Sequence, residues 1–155
     1  MTQKLYVLVG VPGSGKSTWI QNQQWATGIP VVSTDRYVQE YADKQGKTYS
    51  EVFEEYMPIA VKLMANQVLI CQANKKDIIW DQTSTTIATR AKKIRMLPEY
   101  YKIAIVFNTP EREELNRRLS SRAGKHIPDQ VIDQMINQWD NPSLDEGFSE
   151  IWYAQ

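Results

Sequence analysis

The stretch Gly10-Val11-Pro12-Gly13-Ser14-Gly15-Lys16-Ser17-Thr18 decides how this chain is read. It satisfies the pattern GxxxxGK[ST], behind a strand-like apolar run at residues 4–9 and ahead of a helical pattern at 16–25. Glycines let the backbone wrap closely round an anion, so that successive N–H groups and the start of the following helix face phosphate oxygens. Lys16 adds a mobile positive charge for the β and γ phosphates, and Ser17 offers its hydroxyl to Mg²⁺. Gly13, Ser14, Gly15, Lys16, Ser17 and Thr18 are therefore the expected nucleotide-binding residues, with ATP and Mg²⁺ as the expected ligands. A glycine-rich turn that merely precedes a helix is the competing reading, and the context of strand, loop and helix speaks against it.

Outward from this loop, apolar runs at 30–33, 77–80, 102–107 and 150–153 alternate with helical patterns at 35–41, 51–73, 86–97, 111–121 and 129–139. Such alternation predicts an α/β fold, a P-loop NTPase or kinase architecture with about five mostly parallel strands flanked by helices. Within 51–73, Phe53, Tyr56, Met57, Ala60, Leu63, Met64, Gln67 and Val68 trace a helical stripe that is expected to be core, and Pro58 should kink or split the helix.

Composition limits the rest. With 155 residues, 42% of them hydrophobic and 23% charged, residues 1–155 are expected to form one domain with its own core. The longest apolar runs, such as 5–11, fall far short of the roughly 18 to 20 residues a bilayer demands, so no membrane association is expected. The start, Met1-Thr2-Gln3-Lys4, has no apolar signal region, and the single cysteine, Cys71 between apolar neighbours, reads as an inert buried thiol. A cytoplasmic protein is expected. Lys plus Arg (18) balance Asp plus Glu (18), which argues against holding a long nucleic acid nonspecifically. Basic clusters at 90–95 and 117–125 still allow a small anionic site.

Ligands in open α/β sheets bind outside the C-terminal strand ends, and two aspartates follow expected strands there. Asp81 stands where a Walker B carboxylate would orient Mg²⁺ or its water shell, although a strand-end turn residue would look the same. Asp35 is a candidate catalytic base, since a carboxylate facing a γ-phosphate is unfavourable unless it takes a proton or holds a metal. Its other reading is a helix cap, with Ser33 and Thr34 competing for that place. In 117–128, Arg118 and Arg122 are spaced to share one helix face, and Gly124 and Pro128 mark a break before the next helix. That pattern suggests a helical lid whose arginines neutralise charge on a migrating phosphoryl group, or else a solvated basic helix end. Lys125 and His126 read as surface residues, and Arg90, Lys92, Lys93 and Arg95 as mostly a solvated face.

Taken in order, Gly10 to Trp19, Ser33-Thr34-Asp35-Arg36-Tyr37, Asp81-Gln82-Thr83, Arg118 with Arg122, Ile127-Pro128, and 142–148 resemble the P-loop kinases related to the phage-type polynucleotide 5'-hydroxyl kinases. The resemblance implies that Asp35 takes the proton of an attacking 5'-hydroxyl at a DNA or RNA end and that Arg122 is the lid arginine at the ATP phosphates; Arg118 is also expected to bind the nucleotide, and Arg36 and Thr83, with Asp35, are expected at the acceptor. It also implies a host-cytoplasmic setting if the chain is phage-encoded, and only the kinase half of relatives that add a 3'-phosphatase. Two positions depart from the family pattern. Val38 stands where an arginine often grips the acceptor's neighbouring phosphate, and Arg36 would point about 200° away from it on a helix. Thr83 stands where the family has Asn. A small-metabolite or nucleoside kinase of the same fold, and an ATPase switch acting through a partner, are the alternative readings.

Overall fold

The computed structural model describes residues 2–155; Met1, where the expected domain begins, lies outside the described residues. Residues 4–9 form β1 (Lys4–Val9), and the loop after it leads into α1 (Lys16–Gln21). Next come β2 (Val31–Val32), α2 (Asp35–Gln45), α3 (Tyr49–Ala73), β3 (Ile78–Trp80), α4 (Ile87–Met96) and β4 (Tyr101–Val106). The chain closes with α5 (Arg112–Ser120), α6 (Asp129–Asn137) and β5 (Glu150–Tyr153). Short 3₁₀ turns occupy Gln24–Ala26 and Leu144–Glu146.

All pairings are parallel, in the order β2-β3-β1-β4-β5, which is the five-stranded P-loop sheet the alternation predicts. The β1 side chains alternate between two cores. Leu5, Val7 and Val9 pack with Met64, Val68 and Cys71 of α3 on one face. Tyr6 and Leu8 face Ile20, Ile103, Ile105 and Phe107 on the other. Each such side chain, buried fully, contributes on the order of 1.5–3 kcal/mol, so the inner strands anchor the rim above them.

Four local expectations are corrected. The helix expected over 16–25 ends at Gln21, where Asn22 caps it, and the chain tightens into a 3₁₀ turn. α3 runs unsplit through Pro58, because Pro58 is exposed, so the carbonyl it cannot pair faces water, while Val52 and Ala60 are buried on either side of it. The buried stripe of α3 is Tyr49, Val52, Ala60, Met64, Val68 and Cys71, rotated from the expected one; Phe53 and Leu63 are exposed. α4 is likewise not a simple solvated face: Lys92 and Arg95 are exposed, but Arg90 and Lys93 are buried.

Candidate active site

The sheet order places β1, β3 and β2 side by side, so the segments following them form one continuous rim. After β1, Gly13 and Gly15 adopt positive φ (83° and 93°), a conformation glycine enters without strain. Gly10 must stay bare for a different reason: a Cβ there would stand 2.5 Å from Ser14 Oγ and 3.0 Å from Phe107 Cβ. Lys16 Nζ donates to the carbonyls of Gly10 (3.0 Å) and Val11 (3.1 Å). Burial lowers the pKa of Lys16 to about 8, partly countered by Asp81 and reinforced by Arg122.

After β3, Ser17 Oγ donates to Asp81 Oδ2 at 3.2 Å. Burial pushes the Asp81 carboxyl up, with Lys16 and the Ser17 hydroxyl opposing. The Thr83 carbonyl accepts from Gly10 N–H at 2.9 Å, tying this segment to the loop. After β2, Asp35 is the first residue of α2 and not its cap, which falls to Thr34. Its Oδ1 accepts from the Tyr49 hydroxyl (2.7 Å) and its Oδ2 from Lys125 Nζ (2.8 Å). Burial would raise the Asp35 pKa, but Lys125, Tyr49 and Arg122 outweigh it and hold the carboxyl below its ordinary value. Tyr49, buried and donating to Asp35, is pushed up.

These groups share a cavity of about 640 Å³. Gly13, Gly15, Lys16, Ser17 and Thr18 line it with Asp35, Asp81, Thr83 and Arg122, and Phe53, Met57, Val131 and Met135 give it an apolar wall. Two expected residues stand elsewhere. Arg36, one helical step from Asp35, reaches Tyr37 (3.2 Å), Gln67 (3.4 Å) and Glu40 (3.8 Å), away from the cavity. Arg118 does not line it either; its Nη1 donates to the Gly13 carbonyl at 3.0 Å, bracing the loop from behind. The shared helix face expected for Arg118 and Arg122 is corrected as well: α5 stops at Ser120, so Arg122 lies in the turn beyond it. Val38 is fully buried against α3, so α2 offers the cavity no cation from that position.

Lys125 and Tyr49 are the site residues that the sequence reading missed. Lys125 is 90 residues from Asp35 and only 19% exposed, with its ammonium 4.4 Å from the Tyr49 ring centre. The one signal for Tyr49 was local: Thr48 followed by Glu51 forms a capping box that starts α3 and delivers Tyr49 in its first turn.

A nucleotide and Mg²⁺ fit the residues present. Ser14 Oγ is buried without a hydrogen-bond partner, beside two glycines whose conformation turns the loop round an anion. Ser17 and Asp81 are hard oxygen donors in mutual reach, suited to Mg²⁺, which keeps water and phosphate oxygens as its other ligands. Among the described residues no cluster of three or more His, Cys, Asp or Glu could hold a metal by itself.

Residues 5–142 match the family model described as an AAA domain. The chain belongs to that family. No curated protein matches it by sequence. Among solved structures, this AAA domain is similar to a candidate kinase from Chloroflexus aurantiacus J-10-fl, 17% identical over 99% of this chain and 85% of that one, with a TM-score of 0.74. It is 25% identical to a chain of the Pnkp1/Rnl/Hen1 RNA repair complex, over 88% of this chain and 44% of that one, with a TM-score of 0.64. A gluconokinase from Sinorhizobium meliloti 1021 shares the fold at 16% identity, over 97% and 81% of the two chains, with a TM-score of 0.54. The fold of this AAA domain is thus the kinase-type P-loop fold, and the chain spans less than half of the RNA repair component it matches. Among the described residues no helix is long and apolar enough to cross a membrane.

Proposed function

We propose that the chain is an ATP-dependent kinase that moves the γ-phosphate onto the 5'-hydroxyl of a DNA or RNA end, with Asp35 as general base. The observation that carries this reading is Asp35 itself: a carboxylate unneeded as a helix cap, in one cavity with Lys16, Ser17, Asp81 and Arg122. The likeness to a chain of an RNA repair complex supports a nucleic-acid end as acceptor. Residues 1–155 act as one kinase domain in this account, with 117–128 bordering the ATP phosphates.

The chain's own groups divide the work. The N–H groups of residues 13–18 and Lys16 bind the phosphates and fix the γ-phosphorus in line with the acceptor. Arg122 stabilises negative charge as it spreads over the migrating group. Asp35 orients the acceptor hydroxyl and accepts its proton as the new O–P bond forms and the bond to ADP breaks. Mg²⁺ held by Ser17 and Asp81 supplies electrostatic neutralisation of the phosphate oxygens. Thr83, on the cavity wall, is positioned to contact the acceptor.

One observation favours a second reading, a kinase for a small metabolite or nucleoside: with Val38 buried, α2 presents no cation for a neighbouring phosphate. Offering γ-labelled ATP with 5'-OH DNA, 5'-OH RNA, nucleosides and sugars side by side decides between them. Label on strand ends, with apparent affinity falling steeply as salt is added, supports the first; label on small acceptors alone rejects it. ADP release with no labelled acceptor in the whole panel would leave the ATPase-switch reading instead.

A further inference from the structure

Each oxygen of the proposed base already has a donor. Tyr49 donates to Oδ1 at 2.7 Å and Lys125 to Oδ2 at 2.8 Å, while the Asp35 side chain stays 59% exposed and each oxygen can accept a second bond. The two donors are not equally free to go. Tyr49 is fixed by the capping box at the start of α3 and is buried. Lys125 hangs on a flexible four-carbon stem, and its backbone is pinned on either side. Ser50 N–H donates to the Gly124 carbonyl at 3.0 Å, and His126 N–H donates to Ser50 Oγ at 2.7 Å. Movement of the side chain alone, without opening of the segment, therefore suffices to release Asp35. A second cavity of about 290 Å³, lined by Thr48, Ser120, Gly124 and His126, also includes Lys125 and gives the ammonium a place to turn into.

Building on the reading of Asp35 as base, we propose that Lys125 is a positioning residue that reserves Asp35 for the acceptor: its ammonium pairs with Oδ2 and yields that oxygen when the acceptor hydroxyl enters. Two reactions compete for bound ATP. In transfer, the acceptor oxygen bonds to the γ-phosphorus, the bond from that phosphorus to the bridging oxygen of ADP breaks, and the hydroxyl proton passes to Asp35. In hydrolysis, water oxygen makes the same attack, giving ADP and phosphate, and the proton on Asp35 returns to solvent. While Lys125 pairs with Oδ2, Asp35 is a weaker base for the second reaction. Departure of Lys125 does more than clear space. It removes the cation that holds the carboxylate acidic, so Asp35 gains basicity at the step that requires it. The charged and titratable groups facing Asp35 are Lys125, Tyr49 and Arg122, with Lys16 and Asp81 across the cavity and Glu51, Glu54 and His126 on its walls. Of these, Lys125 alone combines a direct ion pair with a free stem.

The test compares the full chain with Lys125→Met, which keeps the stem over Tyr49, and Lys125→Arg, which keeps the charge. With Mg²⁺ and ATP but no acceptor, phosphate release by Lys125→Met is expected to rise about tenfold or more, a fraction of what a positioned base contributes. With a 5'-OH oligonucleotide present, its ratio of transfer to hydrolysis should fall, and Lys125→Arg should restore both. Without any nucleotide, the ¹³C titration midpoint of the Asp35 carboxyl should move up by about one pH unit or more in Lys125→Met, since an opposite charge at this distance lowers a carboxyl by about 1–3 units. A Lys125→Met protein with wild-type phosphate release and an unmoved Asp35 titration overturns the proposal, as does one that loses release and transfer together without that shift. Failure of the wild type to label any acceptor would instead overturn the kinase reading, and the Asp35 titration would still judge Lys125 separately.

Discussion

The two halves of the cavity are built in different ways. On the phosphate side, Lys16, Ser17 and Asp81 come from segments that leave neighbouring strands β1 and β3, and backbone conformation does much of the positioning. On the acceptor side, Asp35, Tyr49 and Lys125 come from α2, α3 and the segment after α5, and their side chains meet on Asp35. The carboxylates differ accordingly. Asp81 is raised by burial, whereas Asp35 is held low by Lys125 and Tyr49 against the same pressure. A half made of backbone admits little variation, while a half made of side-chain pairs can be rebuilt for another acceptor.

The largest expected effect removes a support of the segment after β3. Arg90 is fully buried, its Nε 2.8 Å from Glu146 Oε1, with further bonds to the carbonyls of Ser84 (2.9 Å) and Asp140 (3.0 Å). Arg90→Met leaves Glu146 buried without a countercharge, its remaining bond coming from the Ser143 N–H, and should cost about 3–5 kcal/mol in denaturant unfolding. If the loss falls below about 1 kcal/mol, this pair is not what ties the segment after β3 to residues 140–146. Next, Lys16→Ala strikes the phosphate half alone. It should reduce transfer by about 10²–10³-fold, comparable to deleting one donor from an oxyanion site, with stability unchanged. An active variant would remove the phosphate-loop assignment.

Acidity sharpens the contrast further. The Lys16 pKa is lowered to about 8, so Lys16 is charged below that pH and neutral above it. Apparent ATP affinity, read by calorimetry, should then weaken by up to about tenfold per pH unit above 8, with proton uptake on binding. Asp35 behaves oppositely: depressed, it stays ionised through neutral pH and contributes stability that is lost only as pH falls through its lowered folded value. The smallest effect belongs to the acceptor half. Thr48→Ala removes the capping box and should cost about 1 kcal/mol, with a greater rise in acceptor KM than in ATP KM as Tyr49 loses its fixed start of helix. Equal effects on both would mean that the halves are not separately built.

This division also explains what the sequence made legible. Strand and helix order, the parallel sheet and the phosphate loop follow from periodicity and from one contiguous motif, and they match the structure element for element. Asp35 and Asp81 were legible because strand ends are. Lys125 was not, since nothing local pairs it with a residue 90 positions away, and Arg36 and Arg118 do not line the cavity because proximity in sequence says little about where a long side chain turns. Arg90 and Lys93 misled for a related reason: a basic helix reads as solvated until a buried carboxylate or an aromatic face, here Glu146 and Trp80, is folded against it. Phe53 and Met57, read as core from their spacing, line the cavity because the buried stripe of α3 is rotated away from them.

The most direct measurement of the central claim follows label from γ-labelled ATP to a 5'-OH oligonucleotide with wild type and Asp35→Asn at saturating nucleotide, alongside nucleotide binding by both. With Asp35 as general base, ATP affinity should be unchanged and transfer reduced by about 10²–10⁴-fold. Transfer at the wild-type rate by Asp35→Asn would contradict that role.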